Sequence, residues 1–233
     1  MKSLYLLIDL FTIIVPFLFS FHPKIKFYKE WRWFIPANIL VAAAFIIWDI
    51  IFTKNGVWGF NKNYICGIYF YNLPVEEILF FICIPYACVF TYYCLNRFYK
   101  IKLNLVFEKL FISFLSLILF IAGIYFYYRL YTVVTFITLS FLLLMFRYFF
   151  KSMWLGKLLS IYPLLLIPFF IVNGILTGSG LQQAVVWYND NENIGLRLLT
   201  IPIEDIFYGF ELILLNIFFY NFFKSTSRVH VAL

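Results

Sequence analysis

The sequence predicts an all-α fold, a polytopic membrane helical bundle of about seven transmembrane helices built from two parallel three-helix repeats joined by one linking helix. Three observations lead there. Hydrophobic residues make up 64% of the 233 and charged residues only 12%, with a mean hydropathy of +0.93, a balance that excludes an ordinary soluble domain. The apolar residues gather in stretches of about 20, the length that crosses a hydrocarbon core of roughly 30 Å, and the ten-residue alternating segments of a barrel are absent. The second half of the chain also repeats the first.

Taken in order, the apolar stretches predict spans at 3–21, 35–53, 74–93, 110–128, 131–150, 158–177 and 202–223. The first follows a single lysine, as a signal peptide would. It has no small-residue cleavage site and runs into Phe21, His22 and Pro23, so it is expected to stay as the first helix. With seven crossings, thirteen of the eighteen Lys and Arg fall on the side of the C-terminus: Lys24, Lys26, Lys29, Arg32, Arg97, Lys100, Lys102, Lys109, Arg147, Lys151, Lys157, Lys224 and Arg228. The other side keeps Lys2, Lys54, Lys62, Arg129 and Arg197. The positive-inside rule then predicts a cytoplasmic C-terminus and an outer N-terminus, in what is expected to be a bacterial inner membrane. The net charge of +7 is spread through short loops, which argues for membrane lipids as neighbours and against nucleic acid.

The repeat is clearest around the third and seventh spans. At an offset of 128, Asn61, Gly67, Pro74, Glu76, Glu77, Ile78 and Phe80 meet Asn189, Gly195, Pro202, Glu204, Asp205, Ile206 and Tyr208. Upstream the offset becomes 124, with Asp49 to Thr53 over Asn173 to Thr177, and Val57-Trp58 pairs with Val186-Trp187 in between. Three regions follow: 1–106 as the first repeat, 107–129 as a linking helix and 130–233 as the second repeat. A single linking crossing returns the second copy to the orientation of the first, so both acidic motifs are expected to enter the membrane from the outer side.

Of the eleven acids, seven lie in predicted spans (Asp9, Asp49, Glu76, Glu77, Glu204, Asp205, Glu211), and of the bases only Arg147 does. A charged carboxylate at a helix centre costs about 2.5–3.5 kcal/mol even on insertion scales, so these acids are not there for solubility. Burial and neighbouring carboxyls favour the protonated acid, whereas a helix N-terminus favours the anion. Pro-x-Glu-acid is by itself an ordinary helix start. Two copies in matched context, with Asn61 and Asn189 at one fixed distance upstream, point instead to a shared polar site. Neighbours on a helix point about 100° apart, so one acid of each pair is expected to face the site. Glu204, Tyr208 and Glu211 share a stripe, which favours Glu204 over Asp205 and, by the repeat, Glu76 over Glu77. Asp49 and Asn173 are equivalent positions that could line the same cavity. Asp9 has no detected counterpart, and a structural polar contact is one reading of it.

Aromatic residues make up 24% of the chain, mostly lipid-facing bulk or interfacial belt. Trp58 and Trp187 stand out through the repeat, as interface anchors or as rings that would stabilise a cation by roughly 0.5–2 kcal/mol each. No glycine fingerprint suggests nicotinamide, flavin or ATP, and Gly178-Ser179-Gly180 lacks the context of one. No acid cluster suits magnesium diphosphate, and His22 and His230 have no partner at metal spacing. The four cysteines (Cys66, Cys83, Cys88, Cys94) show no paired spacing and are expected to be inert thiols. No cofactor and no metal are therefore expected.

At these residues the chain resembles the small non-flavin membrane lycopene cyclases, often made as two short subunits and here fused in one chain. The likeness rests on Trp48-Asp49, Thr53, Gly56-Val57-Trp58, Phe60-Asn61, Gly67, Leu73 to Glu77 and Phe80-Phe81 through Pro85-Tyr86 in the first half. In the second it rests on Val172-Asn173-Gly174, Thr177-Gly178, Val185 to Asp190, Gly195, Pro202 to Asp205 and Phe207 to Phe210. The resemblance implies a redox-neutral isomerisation of a linear carotene end group without a cofactor, giving γ- or β-carotene from lycopene. It implies Glu76 and Glu204 as acid and base, Glu77 and Asp205 behind them, and Asp49 and Asn173 as orienting groups. Asn61, Asn189, Trp58, Trp187, Tyr208 and Glu211 would line the substrate site. A C40 polyene would enter from the bilayer, with contacts to other carotenoid-pathway enzymes. The residues alone also fit a proton-coupled membrane transporter, for which buried acids and internal repeats are natural, or a non-catalytic carotenoid-binding protein.

Overall fold

The computed structural model describes residues 2–99 and 104–231. Lys100 and Lys102, and the side chains of Arg228 and His230, lie outside what is described. Among the described residues the apolar stretches form seven α-helices: α1 (Leu4–Phe19), α2 (Trp31–Lys54), α3 (Val75–Phe98), α4 (Leu105–Tyr125), α5 (Leu130–Leu144), α6 (Leu155–Leu176) and α7 (Ile203–Val231). Six of these regions are long and apolar enough to cross a membrane, and α1, with 16 residues, is shorter. At 1.5 Å per residue α1 measures about 24 Å, less than the roughly 30 Å of a hydrocarbon core. It stops at Phe19, where Ser20 bonds the carbonyl of Pro16 (2.7 Å) and the chain turns toward Pro23. α2, α3 and α7 run past their predicted ends because the polar residues of interfacial turns, such as Arg32 and Arg97, lower hydropathy without breaking a helix.

The fold is not purely helical. The loops before α3 and α7 carry short strands: β1 (Trp58–Phe60), β2 (Tyr69–Phe70) and β3 (Leu73–Pro74) in the first, β4 (Val186–Tyr188), β5 (Arg197–Leu198) and β6 (Ile201–Pro202) in the second. β2–β3 and β5–β6 are two-residue antiparallel hairpins in the same register, Tyr69 opposite Pro74 and Arg197 opposite Pro202. Each turns on a bulky residue in the left-handed region, Tyr71 (φ 55°) and Leu199 (φ 58°), a conformation usually left to glycine. Pro74 and Pro202 close these strands, and the helix begins one residue later, which places both acid pairs in the first helical turn.

The chain forms two compact units. The first comprises Met1–Asn55, Phe60–Cys94 and Leu212–Leu233. Its core is aromatic, with Phe27 at 5.6 Å from Phe90 and 5.7 Å from Tyr86 between ring centroids. Buried Asn38 donates to the carbonyl of Phe81 and to Oδ1 of Asn216, both at 3.1 Å, so its polar head is satisfied in an apolar interior.

The second unit comprises Gly56–Gly59 and Leu95–Glu211. Here α4 and α5 form a hairpin in which Ser140 donates to the carbonyl of Ser116 (2.8 Å). α4 begins earlier than the hydropathy suggests, because Asn104 caps it by accepting the Val106 N–H (2.8 Å). Glu108 therefore joins the buried acids. It pairs with Arg147 at 3.4 Å, each side chain no more than 5% exposed. Glycine at 156 makes room for this pair, since a Cβ there would run into the Glu108 carboxyl. Arg147 sits in the π-helical turn Met145–Phe149 that ends α5.

Candidate functional site

In the first unit the acidic turn of α3 is held from two directions. The backbone N–H of Cys66 donates to Oε1 of Glu76 (2.6 Å), and the Cys66 thiol donates to the same oxygen. Tyr5 of α1 donates its hydroxyl to Oε2 of Glu77 (2.6 Å), while its own backbone N–H bonds the carbonyl of Tyr64 (3.1 Å). Glu76 is fully buried and Glu77 nearly so. Oε2 of Glu76 has no hydrogen-bond partner among the described residues. Asp49 of α2 is buried within electrostatic reach of Tyr5.

The second unit repeats this pattern almost bond for bond. The N–H of Ile194 donates to Oε1 of Glu204 (2.7 Å), and Thr132 supplies the second donor to that oxygen (2.6 Å), the part the thiol takes in the first unit. Tyr131 donates to Oδ1 of Asp205 (2.7 Å), while its backbone N–H bonds the carbonyl of Glu192 (2.9 Å). Oε2 of Glu204, like its counterpart, is buried with no partner among the described residues. Asp205 receives two more donors on Oδ2, the Tyr188 hydroxyl (2.9 Å) and the Asn173 amide (3.4 Å). Three donors thus converge on the one carboxyl, one on Oδ1 and two on Oδ2.

Aromatic rings gather around the two tyrosines that donate to Asp205. Trp58 lies 5.1 Å from Tyr131, 6.0 Å from Tyr188 and 6.1 Å from Tyr208, centroid to centroid. In the first unit Tyr5 and Phe80, the counterparts of Tyr131 and Tyr208, stand 6.4 Å apart edge to face. Such a setting carries few polar groups apart from the acids and their donors, and ring faces stabilise positive charge that arises near them.

The other residues singled out in the sequence are placed as follows. Glu211 is buried on α7 and accepts from Thr138 at 3.2 Å. Asn61 and Asn189 shape their loops: the Oδ1 of each accepts the N–H two residues on (3.0 and 3.1 Å), and the carbonyl of each accepts the N–H three residues on. These turns lie just upstream of the Cys66 and Ile194 amides that bond the glutamates, and both asparagine side chains are turned to their own loops. The pairing of the two tryptophans does not extend to their surroundings: Trp58 is buried, whereas Trp187 is 48% exposed and lies over Gly59, where no side chain would fit. Cys66 is exposed and free, and its thiol is held above the usual cysteine range, first because it donates to Glu76 and then through partial burial and the nearby charge of that carboxyl.

Sequence reasoning missed Tyr5, Tyr131, Thr132 and Cys66. A signal for the tyrosines exists, because Tyr5 and Tyr131 are 126 apart, two fewer than the offset of the acids. That slip in register hides them from an alignment anchored at 128.

The chain matches the family model described as "Lycopene cyclase" over residues 2–95 and 128–223, one segment in each half. No curated protein and no solved structure matches it.

Proposed function

The chain belongs to the lycopene cyclase family, and we propose that it closes linear ψ end groups of lycopene into rings, most simply β rings, by acid–base isomerisation in a membrane. The observation that carries this reading is the duplicated carboxyl pair. In each half a buried glutamate has one oxygen anchored by a loop amide and the other free, beside a second acid held by a tyrosine. A free, buried carboxyl oxygen is a group that can give or take a proton in a dry setting.

The chemistry asks for little else. A carboxylic acid gives its proton to the terminal double bond, and a tertiary cation forms. The internal double bond attacks that cation and closes the ring, and a carboxylate removes a ring proton. One proton in and one out leave the oxidation state unchanged, so the reaction is an isomerisation. Glu76 and Glu204 are the carboxyls proposed for the transfers. Glu77 supplies negative charge in the first unit; in the second, Asp205 supplies it and Trp58 and Tyr208 supply ring faces. Asp49 completes the lining in the first unit, and Asn173 and Glu211 complete it in the second. The substrate, an extended C40 polyene, is proposed to enter from the bilayer of a bacterial inner membrane, with the C-terminus cytoplasmic and other carotenoid-pathway enzymes as neighbours. The halves 1–106 and 130–233, linked by 107–129, are proposed as parallel repeats.

Expression in a lycopene-accumulating host, followed by pigment analysis, tests this. The expected product is γ- or β-carotene. Unchanged lycopene from protein correctly inserted in the membrane would refute the assignment.

A further inference from the structure

We propose that Asp9 is the proton-holding acid of the first repeat. The inference rests on the cyclase reading above and adds a residue that the acid-pair motif does not contain.

Asp9 lies one helical turn after Tyr5 on α1, on the same face, and Tyr5 bonds Glu77. That face points Asp9 at the α3 acids: its carboxyl is within electrostatic reach of Glu77 first and Glu76 next, and it acts on Tyr5 and Cys83 as well. Asp9 is 0% exposed, and among the described residues neither carboxyl oxygen has a hydrogen-bond partner. The contrast with its neighbours is chemical. Oε1 of Glu76 receives two donors and Oε2 of Glu77 receives the Tyr5 hydroxyl. A buried carboxylate with no donor and no cation is far costlier than the neutral acid, so Asp9 keeps its proton.

The second repeat lacks this feature. Four residues after Tyr131 stands Thr135, also fully buried, where the first repeat has Asp9. Its own third acid, Glu211, sits on α7 at the position equivalent to Cys83 and has Thr138 as a donor. The step assigned to Asp9 moves one proton from its carboxyl to the partnerless Oε2 side of Glu76, which passes it to the terminal carbon of the polyene, leaving an Asp9 carboxylate and a tertiary cation. The proton later taken from the ring balances it, and no oxidant or reductant is needed.

The test compares Asp9→Asn and Asp9→Glu in full-length protein expressed in a lycopene-accumulating host, with membrane levels measured alongside pigment. Cyclised product from the unaltered chain is the control; its absence would refute the cyclase reading itself rather than this proposal. The expected result is a loss of roughly 100-fold or more for Asp9→Asn at normal membrane level, with Asp9→Glu restoring at least about a tenth of the activity. Asp9→Asn that keeps more than about a third of the product would overturn the proposal, and so would loss in both variants at normal protein level. If Asp9→Asn does not accumulate, Asp9→Thr replaces it, carrying the residue that the second repeat tolerates in the same place, and is judged by the same limits.

Discussion

Glu204→Gln is the substitution whose outcome the structure constrains most. Oε1 of Glu204 accepts two donors, the Ile194 N–H at 2.7 Å and the Thr132 hydroxyl at 2.6 Å, while Oε2 has no partner among the described residues. A glutamine can place its carbonyl oxygen where Oε1 sits, keep both bonds and put its NH2 in the place of Oε2. The anchoring of the loop is then retained, and insertion and stability should stay close to those of the unaltered protein. What disappears is a group able to give or take a proton. Acid–base catalysis by one positioned side chain contributes about 100- to 10,000-fold, or about 3–5 kcal/mol at 1.36 kcal/mol per tenfold. Thr132→Val serves as the comparison. It removes one of two anchoring bonds, with a net cost of about 0.5–1.5 kcal/mol, and should lower product roughly 2- to 13-fold. Initial rates of ring formation from lycopene in isolated membranes, normalised to the amount of inserted protein, separate the two cases. Glu204→Gln activity within a few-fold of the unaltered enzyme would refute the role assigned to that carboxyl.

Three other outcomes follow from named contacts. Tyr131→Phe keeps the ring but removes the hydroxyl that donates to Asp205 at 2.7 Å, and cyclisation should fall roughly 10- to 150-fold at normal protein level, as expected for about 1.5–3 kcal/mol lost at a charged acceptor. Arg147→Met leaves Glu108 buried without its cation and should destabilise the solubilised protein by about 3–5 kcal/mol, seen as a lower thermal-aggregation temperature, with most of the loss recovered in Glu108→Leu/Arg147→Met. Because Glu76 accepts the Cys66 thiol hydrogen and holds the thiol above its usual range, less thiolate is present near pH 8 than at an ordinary exposed cysteine; maleimide labelling of Cys66 should therefore be slow and should speed up in Glu76→Gln.

The helices were legible because hydropathy over some 20 residues is a strong signal that local detail does not disturb. The exception, α1, shows the limit: its apolar run continues to Phe21, yet the helix ends at Phe19 and the chain turns through His22 and Pro23, local detail that no hydropathy sum contains. The acid pairs were legible because a doubled motif at one offset is hard to produce by chance. Their donors were not, for two different reasons. Tyr5 and Tyr131 come from helices whose register is shifted by two residues relative to the motif. Ile194 acts through the backbone N–H, which every residue but proline has, so its side chain carries no trace of the role; Cys66 adds a thiol donor that the second half replaces with Thr132, a residue outside the matched motif. Glu108 escaped notice because its partner, Arg147, is 39 residues away in sequence and the helix that carries it starts before the apolar run does.

What the two repeats share and where they differ have separate physical causes. The shared parts are geometric: the hairpin with its left-handed turn residue, the loop amide on the glutamate, the tyrosine on the second acid. They fix where a carboxyl stands and would serve either direction of proton transfer. The differences fall on positions that set charge: Asp9 against Thr135, Asp49 against Asn173, Cys83 against Glu211. A cyclisation by protonation needs one group that holds a proton and another that lacks one, and two identical halves would offer the same group twice. The first repeat places an acid without donors beside its pair, whereas the second surrounds Asp205 with three donors. Exchanging these features, with Asp9→Thr and Thr135→Asp in one chain, keeps the number of acids constant, so loss of ring formation from that swap at normal protein level would locate the asymmetry of the reaction in these positions rather than in total charge.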